Sequence, residues 1–320
     1  MQLFVKRLLL MIPTLMGVSI LVFALLAISG DPVRSLLPAD AQQAEIDALR
    51  AELHLDKPVY IRYGYWLKDA VRGDLGKSYV GAKPPVMPEL LRRLPATIEL
   101  AVTTMFFATL ISVIVAVLSV RKPGGAFDQT ARTVIFVFLA MPGFWLGIEL
   151  IIIFSRKLGW FPPAGRGDGS FFTDPFDHIS HLLLPALTLG TGTAASLCRV
   201  LRASLLEILH SDFIRTARAK GLSNNVVLVR HALRNALIPF VTLSGITVAA
   251  LLEGSIIIES VFAWPGIGQW MVEGIKGRDA PVVMAGVLLT AVVYSSVNLI
   301  VDFLYTVIDP RVRLDGGAGK

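Results

Sequence analysis

Few side chains in this sequence have the types and spacing that chemistry needs. Gly76-Lys77-Ser78 ends like the phosphate-cradling loop G-x-x-x-x-G-K-[ST], but Val71 stands where its first glycine belongs, so ATP is not bound by that route. Cys198 is the single cysteine and has no disulfide partner within the chain. Of the five histidines only His178 and His181 lie close together, and no zinc-type ligand spacing occurs. A reaction inside the apolar segments would need a nucleophile beside a base, or paired carboxylates, and neither is visible. Isolated acids remain there: Glu149, Glu253 and Asp302. A carboxylate facing lipid at the bilayer centre costs about 2.5–3.5 kcal/mol, so Glu253 is expected to face protein or water. It either lines a pathway, or caps a helix or pairs at a subunit interface. Glu149 reads as interfacial, and Asp302 as the partner of a nearby arginine.

The segment with the clearest design is basic: Ser211-Asp212-Phe213-Ile214-Arg215-Thr216-Ala217-Arg218-Ala219-Lys220-Gly221. Ser211 suits an N-cap, Asp212 the positive helix end, and Gly221 a left-handed C-terminal position. Arg215, Arg218 and Lys220 lie toward the negative end, where cations are favoured. Ala217 and Ala219 add little bulk, which permits close approach to a partner. A second short helix is expected from Ser223 to Arg234. Two readings stay open on these residues alone: an interfacial helix meeting anionic lipid, or a helix made to touch another protein at the membrane surface.

Those residues must be positioned by apolar elements. Hydrophobic residues make up 54% of the 320 and charged residues 17%, an excess too large for an ordinary soluble core. It is clumped into six nearly charge-free runs, at 8–28, 100–120, 133–155, 182–198, 236–258 and 281–301. Roughly 20 residues at 1.5 Å rise cross a hydrocarbon core of about 30 Å, so each run can span as a helix. The chain is therefore all-α and integral to a membrane. Pro142, Pro185 and Pro239 can kink or start helices within it. The first run is longer than a secretory signal's apolar stretch and reads as a retained anchor.

Lysines and arginines in the short connections gather on one side, at Lys6 and Arg7, at Arg121, Lys122 and Arg132, and throughout 199–235. By the positive-inside rule that side is cytoplasmic, with both termini. The net charge of +6 then marks a cytoplasmic face and calls for no nucleic acid. Residues 30–99 are the one stretch long enough for an extracytoplasmic structure. A short amphipathic helix is expected from Glu45 to Leu55, ended by Lys57-Pro58, with the interfacial aromatics Tyr60, Tyr63, Tyr65 and Trp66 following.

Arg215-Thr216-Ala217-Arg218-Ala219-Lys220-Gly221-Leu222, followed by His231-Ala232-Leu233-Arg234-Asn235-Ala236-Leu237-Ile238-Pro239, resembles the coupling-helix region of bacterial ABC importer permeases. The likeness is to the dipeptide, oligopeptide and nickel branch, and within it to the first, B-type, peptide permease chain. Gly30-Asp31-Pro32, Leu94-Pro95-Ala96-Thr97-Ile98-Glu99-Leu100, Phe262-Ala263-Trp264-Pro265-Gly266-Ile267-Gly268 and Asp309-Pro310-Arg311 agree, in order along the chain. The general motif begins Glu-Ala-Ala where Arg215-Thr216-Ala217 stands. It also has an apolar residue and a proline where His231 and Arg234 stand; the peptide branch shares these departures.

The resemblance implies a type I ABC importer permease fold with six transmembrane helices. Residues 1–95 would form the first helix and the extracytoplasmic segment. Residues 96–305 would form a five-helix core with a cytoplasmic coupling loop at 199–235, and 306–320 a cytoplasmic tail. It further implies a homologous second permease, one or two ATPase chains that bind ATP and Mg, an extracytoplasmic solute-binding protein and surrounding lipid. No cofactor, metal or catalytic residue is expected in this chain. Phe213, Arg215, Thr216, Ala217, Arg218, Ala219, Lys220 and Gly221 would dock on the ATPase, and Glu253 is a possible pathway residue. Di- or oligopeptides are the expected cargo, with nickel chelates and glutathione as alternatives. An ion-coupled secondary transporter is the alternative of a different class.

Overall fold

A bilayer-length apolar run has no water to satisfy its backbone, which leaves the α-helix as the form that bonds every N–H and C=O internally. In the computed structural model the described residues are 2–28, 33–37, 42–167, 169 and 171–308, with side chains throughout except at 2–8, 34–35, 253–254 and 301–308. Every regular element among them is helical, apart from one isolated antiparallel bridge between Lys77 and Pro85. In chain order these are α1 (Gln2–Ile28), α2 (Val33–Leu36), α3 (Gln43–Glu52), α4 (Val59–Ala70), α5 (Val86–Arg121), α6 (Ala126–Ala140) and α7 (Gly143–Leu150). Then come α8 (Pro175–Leu209), α9 (Asp212–Ala219), α10 (Asn224–Val226), α11 (Arg234–Val261), α12 (Ile267–Lys276) and α13 (Ala280–Ile308). π-helical turns at Ile151–Lys157 and Val227–Leu233 continue α7 and join α10 to α11.

Five helices are long and apolar enough to span, and α6 with α7 and its π turn make a sixth segment bent by 104°. The run expected at 133–155 as one span is therefore broken. Met141 has extended backbone, as a residue before proline prefers, and Pro142 caps the next helix. Pro185 and Pro239 sit inside α8 and α11, which run on through them. The helix expected at 45–55 is α3, and its aromatic sequel is itself helical, as α4. The short helix expected from Ser223 does not stop before the fifth span but passes into it through the π turn.

The chain forms two compact units, residues 1–98 with 265–296, and residues 99–264 with 297–320. In the first, Val86, Leu90, Trp270, Val282 and Ala285 make a small core. Ser78 donates to buried Asp279, and the Ile267 N–H donates to Thr97 Oγ1 at 2.9 Å. The polar Ser19 of α1 is sheltered by a 2.8 Å hydrogen bond with the Tyr63 hydroxyl of α4. The rest of α1 exposes Leu9, Leu10, Ile12, Ile20, Leu21 and Leu25, the surface a lipid-facing span needs.

In the second unit α8 packs against α6, α7 and α11. Lipid tails are as apolar as leucine, so helices in a bilayer gain from small residues that let backbones close up. Ala108, Ala116, Ala194, Ala195 and Ala236 supply them here. At Gly147 an added Cβ would come within 3.2 Å of both Phe262 and Thr188 side chains, so a larger residue at that crossing would push them back by a few tenths of an ångström. Cys198 is buried and free.

Candidate functional site

The basic segment folds as α9, tilted off the end of α8. Ser211 takes the N-cap position, but its hydroxyl donates back to the Ile208 carbonyl at 2.6 Å rather than capping α9. The helix ends as expected. Gly221 has φ +79°, its N–H donates to Arg218 O at 2.9 Å, and the Leu222 N–H reaches Ala217 O at 3.4 Å. That pairing of the two residues after the cap is the Schellman closure, which needs a left-handed residue in the middle. Nothing crowds a Cβ at Gly221, so the requirement is conformational and not steric.

One stripe of α9 seats it. Ile214 is 0% exposed and Ala217 is buried beside it, both in a core that includes Leu201, Leu205, Val227, Leu228 and Ala232. Burying a residue of Ile214's size contributes about 1.5–3 kcal/mol. Ala217 therefore serves the seat of α9; its small side chain is turned toward the chain's own core and away from the outer face. The other expected contacts point outward: Phe213 is 47% exposed, and Arg215, Thr216, Arg218, Ala219, Lys220 and Gly221 are all exposed. Among the described residues Arg215 pairs with the solvated Asp212 at 3.3 Å, an arrangement of little energetic weight. The outer face is thus a phenyl ring among cations, held rigid from beneath.

The base of this seat rests on a pair that the spacing of the sequence does not show. Arg202 donates from Nε and Nη2 to the two carboxylate oxygens of Asp128, at 2.6 and 2.7 Å. Asp128 is 1% exposed and also accepts from the Gly124 N–H at 2.9 Å, with Arg132 at 3.8 Å. Two-pronged pairing with a further hydrogen bond is what allows a carboxylate to be buried at all. It clamps the start of α6 to the last turns of α8, directly before α9. The partners lie 74 positions apart, so only the tertiary fold reveals them.

At the start of α8, about 36 Å of helix away at 1.5 Å per residue, lies a second polar cluster. His178 is buried, its Nε2 meets Glu99 Oε1, and its Nδ1 is 3.2 Å from the Gly169 carbonyl. Arg166 donates twice to Glu99 Oε2, at 2.9 and 2.6 Å, and lies over the Trp264 ring at 5.9 Å. The Gly165 N–H donates to Phe262 O at 2.8 Å. The cluster thus ties the 158–174 connection to α5, α8 and the end of α11. His181, near His178 in sequence, turns its Nδ1 to the Asp177 carbonyl at 2.9 Å, and among the described residues no group of three or more His, Cys, Asp or Glu could hold a metal ion. The side chains of Glu253 and Asp302, and the motifs at 30–32 and 309–311, lie outside the described residues.

The profile of the family described as binding-protein-dependent transport system inner membrane component matches residues 108–314. The chain is 39% identical over 97% of its length to the oligopeptide transport system permease protein AppB of Bacillus subtilis, 98% of which is covered. It is 40% identical to the dipeptide permease DppB of Escherichia coli K12, over 98% of this chain and 99% of that one. A glutathione permease, GsiC of Escherichia coli, is 39% identical over 97% of this chain and 98% of its own. Among solved structures, the inward-facing MetNI methionine ABC transporter overlays with a TM-score of 0.57 at 22% identity, covering 70% of this chain and 97% of the other. That likeness is one of fold.

Proposed function

This chain belongs to the family of inner membrane components of binding-protein-dependent transport systems, and from that premise we propose that it carries di- or oligopeptides across the membrane. It is a multi-pass permease subunit of an ATP-driven importer, a transport component and not an enzyme. ATP and Mg belong to partner chains. The cargo is inferred from relatives named for dipeptide and oligopeptide transport that match nearly the whole chain. Glutathione is itself a tripeptide, and the matching glutathione permease keeps it as a second reading.

The outer face of α9 carries the rest of the proposal. Phe213, Arg215, Thr216, Arg218, Ala219, Lys220 and Gly221 dock in a cleft of an ATPase, while Ile214 and Ala217 pass the resulting force to α8. A helix fixed on its own core, yet presenting a ring and cations outward, transmits a push instead of absorbing it. ATP biases access to the pathway only if α9 makes different contacts when the ATPases close and when they separate. A second, homologous permease completes the pathway, one or two ATPase chains drive it, and a solute-binding protein delivers cargo from outside. On this reading α9 and both termini are cytoplasmic. Residues 1–95 form a module added to the core at 96–305, with 306–320 as tail. The solved permease is covered almost whole by 70% of this chain, which supports such an addition. Glu253 remains the candidate pathway residue.

Uptake of labelled dialanine into cells lacking their own peptide importers, but supplied with this chain and its neighbouring genes, tests the cargo. Accumulation that stops on ATP depletion is expected, with glutathione as competitor deciding between the two readings. Failure to accumulate any peptide, with the subunits present in the membrane, would overturn it.

A further inference from the structure

The first unit contains a cavity of about 490 Å³ that the transport reading leaves without a role. Phe23, Leu26 and Ala27, in the last two turns of α1, form one wall; Trp66 of α4, Pro281 and Met284 form others. The final turns of a span lie at the membrane interface, where α4 also places Tyr63 and Trp66. Three cations line the same space: Arg50, Arg62 and Arg278. Arg50 has Asp47 at 3.7 Å. Arg62 lies over the Phe23 ring at 5.8 Å, and neither it nor Arg278 makes an ion pair among the described residues. Asp279, next to Arg278 in the chain, is turned to Ser78 and to the Val282 N–H. Arg278 holds φ +53° as the left-handed residue that closes α12, where the Asp279 N–H donates to Gly274 O at 2.8 Å, and this fixes the backbone from which its side chain leaves.

Tyr79 adds a donor. Burial pushes its hydroxyl above the usual tyrosine range, Arg62 pulls the other way, and Asp279 adds to the rise, so the phenol keeps its proton. The cavity thus joins apolar walls at a bilayer interface to a phenolic O–H and two guanidinium groups that have no ion-pair partner among the described residues. Planar guanidinium forks fit phosphate oxygens in pairs.

We propose that this cavity binds the phosphate headgroup of an anionic phospholipid, whose acyl chains lie along Phe23 and Leu26. Free phosphate shares the headgroup chemistry but would leave the apolar walls unused. A dipeptide carboxylate shares the charge but lacks acyl chains to cover those walls.

The test is native mass spectrometry on the full chain, purified from membranes with its co-purifying subunits and then delipidated. The probes are phosphatidylglycerol, phosphatidylcholine with the same acyl chains, inorganic phosphate and dialanine. Phosphatidylglycerol is expected to be retained about tenfold over phosphatidylcholine, and inorganic phosphate not at all. The double substitution Arg62→Gln, Arg278→Gln is expected to lower that retention roughly thirtyfold, about fivefold for each arginine. Arg72→Gln, at an exposed arginine outside the cavity, is expected to leave it unchanged. Equal retention of the two lipids would overturn the proposal. So would phosphate binding as strong as lipid binding, displacement of lipid by dialanine, or an Arg72→Gln loss as large as that of the double variant. If the double variant does not assemble, the comparison of the two lipids on the unaltered chain decides alone.

Discussion

At the scale of single residues, the largest energies sit where charge is buried. Removing Arg202 would leave the Asp128 carboxylate buried with only the Gly124 N–H and a distant Arg132. Arg202→Ala is therefore expected to cost about 3–5 kcal/mol, read as a lowered unfolding temperature in detergent. Arg202→Lys should recover part of it, since a lysine keeps the charge but not the fork. The two alanines of α9 separate seat from surface. Ala217→Leu overfills the core and is expected to cost about 1–3 kcal/mol of stability. Ala219→Leu, on the exposed side, should leave stability unchanged while weakening ATPase recovery. Glu253→Gln is expected to lower uptake without reducing assembly, and unchanged uptake would remove that residue from the pathway. Gly221 could be read from sequence because its left-handed conformation is a local demand that glycine meets best. Asp128 could not, because an acid beside a charged turn looks solvated until its distant partner is placed.

At the scale of elements, α9 works because one narrow stripe is apolar. Ile214→Asp puts a charge into the core that seats it, and is expected to abolish ATPase recovery even though every outward residue is intact. Retained ATPase would mean that the outer face docks without its seat. Span number and the basic helix were legible because composition and charge directly control where a helix stops being lipid-soluble. The 104° break at Met141-Pro142 was less so: a proline within an apolar run is compatible with a kink, a start or an unbroken helix, and Pro185 and Pro239 show the last. The π turns at Ile151–Lys157 and Val227–Leu233 were not legible, since each adds one residue to a turn that mixes apolar side chains with cations, Arg156 and Lys157 in the first and Arg230 in the second, and no local pattern marks the insertion. The second lies between α9 and the fifth span. The ion-coupled transporter weighed from the sequence rested on Glu253 alone, and family membership sets it aside.

At the scale of the whole molecule, the chain is one part of a machine. Its relatives are permease subunits of importers that also hold a partner permease and ATPase chains, and on the proposed reading its basic helix is where ATP binding becomes motion. Cargo choice was not legible at this scale, because nothing in the apolar spacing or the charge of one permease subunit separates one peptide cargo from another. The measurement that bears most directly on the account is recovery of ATPase subunits with the tagged chain from solubilised membranes, beside a Gly221→Asp variant. The unaltered chain is expected to bring down its ATPase. The variant, at equal membrane abundance and with its stability lowered by no more than the strain of one left-handed residue, about 1–2 kcal/mol, is expected to lose it. Equal recovery with both, or no ATPase with either under conditions that hold a known importer together, would contradict the coupling role assigned to α9.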